Sequence, residues 1–158
     1  MKFKKVMSLF LAVIMSTAFV SGCGKNAGNE STQTKGEFIA ILESPGMAKI
    51  QVKSYELVTN SSDQKCIAFT MIYFNQSDKT MSFNDVGNKV NGIFSVYQNG
   101  TKLEPRNTDK TANISIEAAP KTGVEVVKAY EYLNTTDSII LELKDAEGNV
   151  CASCSVDF

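Results

Sequence analysis

The chain has 158 residues, 16 basic and 17 acidic, with 43% hydrophobic side chains, which suits one modest domain with a real core. It holds no histidine and no tryptophan. That excludes Ser-His-Asp and Cys-His nucleophile systems, His-ligated zinc and a Trp-based sugar-stacking platform, and the absence of Lys/Arg clusters argues against nucleic acid as a partner.

The N-terminus reads as a targeting segment. Lys2, Lys4 and Lys5 form a basic start, and Val6 to Val20 is uncharged and mostly apolar. A membrane span needs about 20 such residues, so this shorter run fits a secretory h-region. It ends Val20-Ser21-Gly22-Cys23: an aliphatic residue, two small residues and a cysteine, which resembles the bacterial lipobox. The resemblance implies cleavage between Gly22 and Cys23 and a diacylglyceryl group on the Cys23 thiol. Two acyl chains hold a protein stably where one does so marginally. The expected location is the outer face of the cytoplasmic membrane, with the bilayer as the first partner. Losing residues 1–22 leaves 13 basic and 17 acidic residues, net about −4.

Gly24 to Gly36 is polar and rich in Gly, Asn, Ser and Thr, a flexible tether by composition. The remaining residues, 37–158, read as one domain of short strands between turns. Glu37–Leu42 is the first candidate, closed by Ser44-Pro45-Gly46. Ala48–Val58 alternates and then breaks phase at Ser54-Tyr55, a pattern that predicts a bulge or bend. Cys66–Phe74 is apolar on both parities, as in a strand buried on both faces. Gly92–Gln98 meets Asn99-Gly100, a type I′ hairpin signal. Thr101–Glu104, Asn113–Ala118, Val124–Leu133, Ser138–Lys144 and Val150–Phe158 follow, with Asp145–Asn149 as a tight turn. Asn84–Asn91 and Arg106–Ala112 read as loop, and no amphipathic helix follows the signal segment. The expectation is an all-β, antiparallel, immunoglobulin-like sandwich of about seven or eight strands.

Three segments, Phe69–Phe83, Val96–Pro105 and Val124–Leu143, together resemble uncharacterised domains of secreted lipoproteins from Gram-positive bacteria. These are grouped with telokin-like, immunoglobulin-like sandwiches that include secreted immunoprotective antigens. The resemblance implies a fold and a location and transfers no catalytic residue. In such relatives the turn before the "VEVVKAY"-like strand usually reads Pro-Gly; here it is Pro120-Lys121-Thr122-Gly123.

Candidate chemistry is sparse. Cys151-Ala-Ser-Cys154 has redox spacing, but reactive pairs sit at helix N-termini, and odd spacing on a strand puts the thiols on opposite faces. Cys151 is expected on the polar face and Cys154 on the apolar one, with Cys66 left to pair with either or with none. Asp145, Glu147 and Asn149 mimic part of a calcium loop without its closing glutamate. Glu125 and Glu131 read as solvated strand-face carboxylates. Tyr97, Tyr130 and Tyr132 are candidates for an exposed aromatic patch that meets a partner, against the commoner role of half-buried sheet residues. No metal and no cofactor is implied. The leading expectation is a non-catalytic binding module for a protein, peptide or envelope ligand. Behind it stand a protective lipoprotein directed at a toxin, phage or protease, and a thiol enzyme.

Overall fold

Period-two alternation becomes paired strand throughout the residues that the computed structural model describes, 39–87 and 93–158. The predicted cleavage site, Gly22, Cys23 and the tether lie outside them. β1 (Ala40–Ser44) returns as β2 (Ala48–Thr59) through Pro45 and Gly46. Gly46 has φ 75° and the Met47 amide donates to the Ser44 carbonyl at 3.0 Å, a type II turn in which proline presets the first corner and glycine accepts the second. β2 pairs with β3 (Lys65–Asn75), and their register shifts between Val52 and Ser54, leaving Lys53 as the extra residue. The expected bulge is present, and it flips the strand: Ile50 and Val52 face the core above it, Tyr55 and Leu57 below it.

The rest of the chain supplies β4 (Met81–Ser82), α1 (Phe83–Gly87), β5 (Phe94–Gln98), β6 (Thr101–Lys102), β7 (Pro105–Arg106), β8 (Glu117–Ala118), β9 (Gly123–Glu131), β10 (Ile139–Lys144) and β11 (Val150–Val156). One sheet has the order β1-β2-β3-β9-β7 and the other β11-β10-β5-β6, with β4 and β8 as a separate pair. Every pairing is antiparallel. Seven described strands have five or more residues and four have two. The two large sheets stack as a sandwich around Ile50, Phe69, Met71, Phe94, Leu141 and Leu143, each at most 1% exposed. β1 packs across to β10 and β11 at one edge. At the other, the chain crosses from β6 to β7 through buried Leu103, whose amide donates to Val96 at 2.8 Å.

Strand directions give the sandwich two distinct ends. The helix end carries α1 and the turns after β1, β3 and β10. The other, called here the tyrosine end, carries the C-termini of β2, β5, β9 and β11. The N-terminal end of β1 faces this same end, because Ala40 pairs with Val52 and Ser44 with Ala48.

Three expectations need correction. The polar stretch after Phe83 begins with α1 rather than loop. Ser82 donates from its amide and hydroxyl to the Asp85 carboxylate at 3.0 and 2.8 Å, a capping arrangement that Ser-x-x-Asp spelled in the sequence. Within Asn113–Ala118 only Glu117–Ala118 is strand. Finally, Pro105–Arg106 pairs with β9, so the loop starts after Arg106. It crosses the outer face of the first sheet, where Lys110 reaches Glu56 at 3.5 Å.

Candidate functional site

Apolar side chains gather in the open at the tyrosine end. Leu57 is 48% exposed, Leu133 56% and Phe158 38%. Each belongs to a different strand terminus, so the cluster is made by topology and not by a local motif. The Phe158 ring lies 5.4 Å from Tyr132 and 6.5 Å from Tyr55. Tyr55 continues inward to Phe69 at 6.3 Å, and Phe69 to Tyr130 at 6.4 Å. These distances fall in the range of favourable aromatic pairs. The exposed patch therefore rests on the core, with little freedom to collapse.

Polar bonds fix its frame. The Tyr55 hydroxyl donates to the Asp157 carbonyl at 2.9 Å. Burial, then the nearby Asp157 carboxylate, push the Tyr55 phenol above its usual range. The Ser138 hydroxyl donates to the Asp157 carboxylate. Gln98 is fully buried. Its amide nitrogen donates to the Asn134 and Asp137 carbonyls at 2.8 and 2.7 Å, and its oxygen accepts from the Leu133 and Asn134 amides at 2.7 and 3.3 Å. One side chain thus holds the β9–β10 connection that presents Leu133.

The three tyrosines singled out from the sequence do not share a surface. Tyr132 sits half-buried at the edge of the apolar end. Tyr130 is 3% exposed in the core; its hydroxyl finds no partner among the described residues, and burial pushes its phenol far above the usual range. Tyr97 has the opposite parity to Val96 and Gln98, so it lies on the outer face of the second sheet. There the Lys144 ammonium donates to its hydroxyl at 3.2 Å and sits 5.6 Å from the ring centre. Parity puts Tyr97 on the outer face, whereas Tyr130 and Tyr132 share a parity and differ in depth, Tyr132 lying beyond the end of β9.

Cys66, Cys151 and Cys154 are thiols with no disulfide between them. Cys151 is exposed, Cys154 packs against the core, and Cys66 is buried with Ala68 and Ala129 on the outer face of the first sheet. Burial and then the Glu131 carboxylate raise the Cys66 thiol, with Arg106 opposing. A raised thiol is the reverse of an activated one. The Asp145 carboxylate accepts from the Asn149 amide and side chain at 2.8 and 3.0 Å. These bonds hold its pKa below the usual range, so Asp145 and Asn149 close the turn on each other. Glu125 pairs with Lys53 at 2.6 Å and Glu131 with Arg106 at 2.6 Å. Among the described residues no three His, Cys, Asp or Glu side chains are gathered as a metal-binding group, and no helix is long and apolar enough to cross a membrane. A shallow, open groove runs along loop residues 107–116, lined mainly by small and polar side chains.

Sequence reasoning missed Tyr55, Leu57, Leu133 and Phe158 as a group. The available signal was that Leu57, Leu133 and Phe158 each fall at the end of an apolar segment, and the bulge told which face Tyr55 and Leu57 would take.

Residues 24–145 match the family described as "Domain of unknown function (DUF5067)". No curated protein matches the chain. Three solved structures share the fold. A "putative lipoprotein" from Staphylococcus aureus aligns with TM-score 0.54 and 17% identity over 78% of this chain and 89% of its own. A protein from Enterococcus faecalis aligns with TM-score 0.55 and 14% identity over 75% and 89%. A "putative lipoprotein" from Bacillus subtilis aligns with TM-score 0.53 and 14% identity over 73% of this chain, which spans only 38% of that longer one.

Proposed function

The chain belongs to the DUF5067 family, and from that premise we propose that it is a lipid-anchored extracytoplasmic lipoprotein that works by non-covalent contact through its apolar end. The observation that carries this reading is that Leu57, Leu133 and Phe158 are all exposed at the tyrosine end, with Phe158 packed against Tyr132 and Tyr55. Scattered surface leucines are ordinary, but gathered apolar side chains rimmed by polar ones mark contact surfaces. The lipobox-like Val20–Cys23 supports the anchor, as do the lipoprotein names of two of the fold relatives. The non-catalytic part of the reading is supported by a buried, raised Cys66 thiol and by acidic side chains engaged in turns and ion pairs. Membership of the telokin-like, immunoglobulin-like group belongs to the same proposal and is supported by the two stacked antiparallel sheets. A protective role against a toxin, phage or protease would be one narrower form of this contact function.

The test is fractionation of expressing cells with the mass of the N-terminal peptide. Mature wild-type protein is expected in the membrane fraction, beginning at a diacylated Cys23. Cys23→Ala should abolish both processing and lipid. An unmodified Cys23 in wild type would overturn the anchor.

A further inference from the structure

We infer that the surface met by the apolar end is the lipid bilayer to which the protein is tethered, so that the sandwich stands on Tyr55, Leu57, Tyr132, Leu133 and Phe158 and turns its helix end away from the membrane. The inference rests on the Cys23 anchor proposed above. Its first support is direction. β1 enters the sheet with its N-terminal end facing the tyrosine end, and only residues 24–38 separate Ile39 from Cys23. Whatever their path, they reach at most roughly 55 Å, about one and a half times the roughly 36 Å length of an eleven-residue strand such as β3, which keeps the domain close to the bilayer. The N-terminal end of β1 thus points towards the exposed apolar end, and the short connection to Cys23 would hold that end at high effective concentration over the bilayer.

Its second support is chemistry. Tyrosine is at home in the interfacial layer, where the ring is shielded and the hydroxyl stays hydrated or bonded, and Tyr55 and Tyr132 flank the three exposed apolar side chains. Two other occupants fit less well. Residues 24–38 include only Ala27 and Phe38 as apolar residues, too few to cover the patch. A second copy meeting end to end would face a like-charged rim: Asp63, Glu104, Asp137 and Asp157 outnumber Lys65 and Lys102, and juxtaposed like charges oppose association. The same rim makes the contact one with the uncharged interfacial layer, weakened by anionic headgroups.

Because the chain has no tryptophan, a single introduced one reports its own depth. Leu133→Trp and Leu57→Trp place the probe at the tyrosine end; Val150→Trp, at a site 51% exposed, places it at the helix end. Each full-length, lipidated variant is extracted from host membranes and inserted into phosphatidylcholine vesicles with or without brominated acyl chains. Emission from positions 133 and 57 is expected to shift to shorter wavelength and to be quenched several-fold more than from position 150. The difference should shrink when phosphatidylglycerol replaces half the lipid. Equal quenching at the three positions in protein that floats with the vesicles overturns the docking and leaves the anchor standing. A blue shift at position 133 that grows with protein density without quenching overturns it in favour of a second copy. Protein that does not float with the vesicles overturns the anchor, and the docking with it. The two tyrosine-end probes are independent, so misfolding of one leaves the other decisive.

Discussion

The rings of Tyr132 and Phe158 meet at 5.4 Å with their planes inclined by 46°, joining the chain just beyond β9 to the chain just beyond β11. The contact ties the two sheets together at the end where the apolar side chains emerge. From Phe158 the aromatic series passes through Tyr55, Phe69, Tyr130 and Phe94 to Phe83 in α1. The contact surface and the helix end therefore belong to one packed core.

Gln98 is the polar support of that surface. Gln98→Met keeps the volume but strips a fully buried side chain of four hydrogen bonds and leaves main-chain groups of residues 133, 134 and 137 without their partner. The expected cost is about 2–4 kcal/mol, measured by denaturant unfolding. Limited proteolysis of the variant should cut first between Leu133 and Ser138. Unchanged stability would show that Leu133 is held by other means.

Lys121 takes a backbone conformation that glycine takes more easily. Its φ is 63°, at the second corner of the turn Ala119–Thr122, where the Thr122 amide donates to the Ala119 carbonyl at 3.1 Å. This is the position where related turns read Pro-Gly. Lys121→Gly relieves the left-handed strain while giving up an exposed ammonium bond to the Gln76 carbonyl. A net gain of roughly 0.5–1 kcal/mol in unfolding free energy is expected; a loss would mean that the lysine bond outweighs the strain.

Lys128 gives the fold a pH dependence. It is 3% exposed, on the core-facing parity of β9 between Val126 and Tyr130 and opposite Phe69. Burial lowers its pKa below the usual 10.5. The unfolded chain therefore binds this proton more readily than the folded one. The penalty is in force at neutral pH and is relieved as pH rises towards the unfolded value. Lys128→Met should be more stable than wild type at pH 7, by on the order of 1 kcal/mol, and the gap should narrow as pH approaches 10.5. A gap independent of pH would mean that the gain comes from packing alone.

Cys154 and Cys151 should respond differently to the same change. Cys154 packs against the core and Cys151 faces solvent. Cys154→Ser should cost about 1–3 kcal/mol if the new hydroxyl is left without a partner, and Cys151→Ser less than about 0.5 kcal/mol. Equal losses, read by thermal or denaturant unfolding, would contradict the faces assigned to β11.

Local signals made much of this legible in the sequence. The phase break at Ser54-Tyr55 announced the bulge at Lys53, and Asn99-Gly100 announced a turn in which both residues have positive φ, 48° and 72°. The opposite faces of Cys151 and Cys154 followed from strand parity. What escaped was set by distant parts of the chain. Lys128 and Gln98 look like solvated strand residues, and only their parity in the finished sheets buries them. The apolar end joins strand termini from Leu57 to Phe158, which no window of sequence brings together. The two-residue β7 carries too short a pattern to be read, although with β6 it closes one edge of the sandwich.

Photo-cross-linking on intact cells tests the contact function most directly. A photo-reactive residue replaces Leu133 at the tyrosine end or Val150 at the helix end of the full-length chain, and the adducts are compared. Contact through the apolar end predicts abundant adducts, to lipid or to protein, from position 133 and few from position 150. Abundant adducts from position 150 with none from position 133 would contradict it.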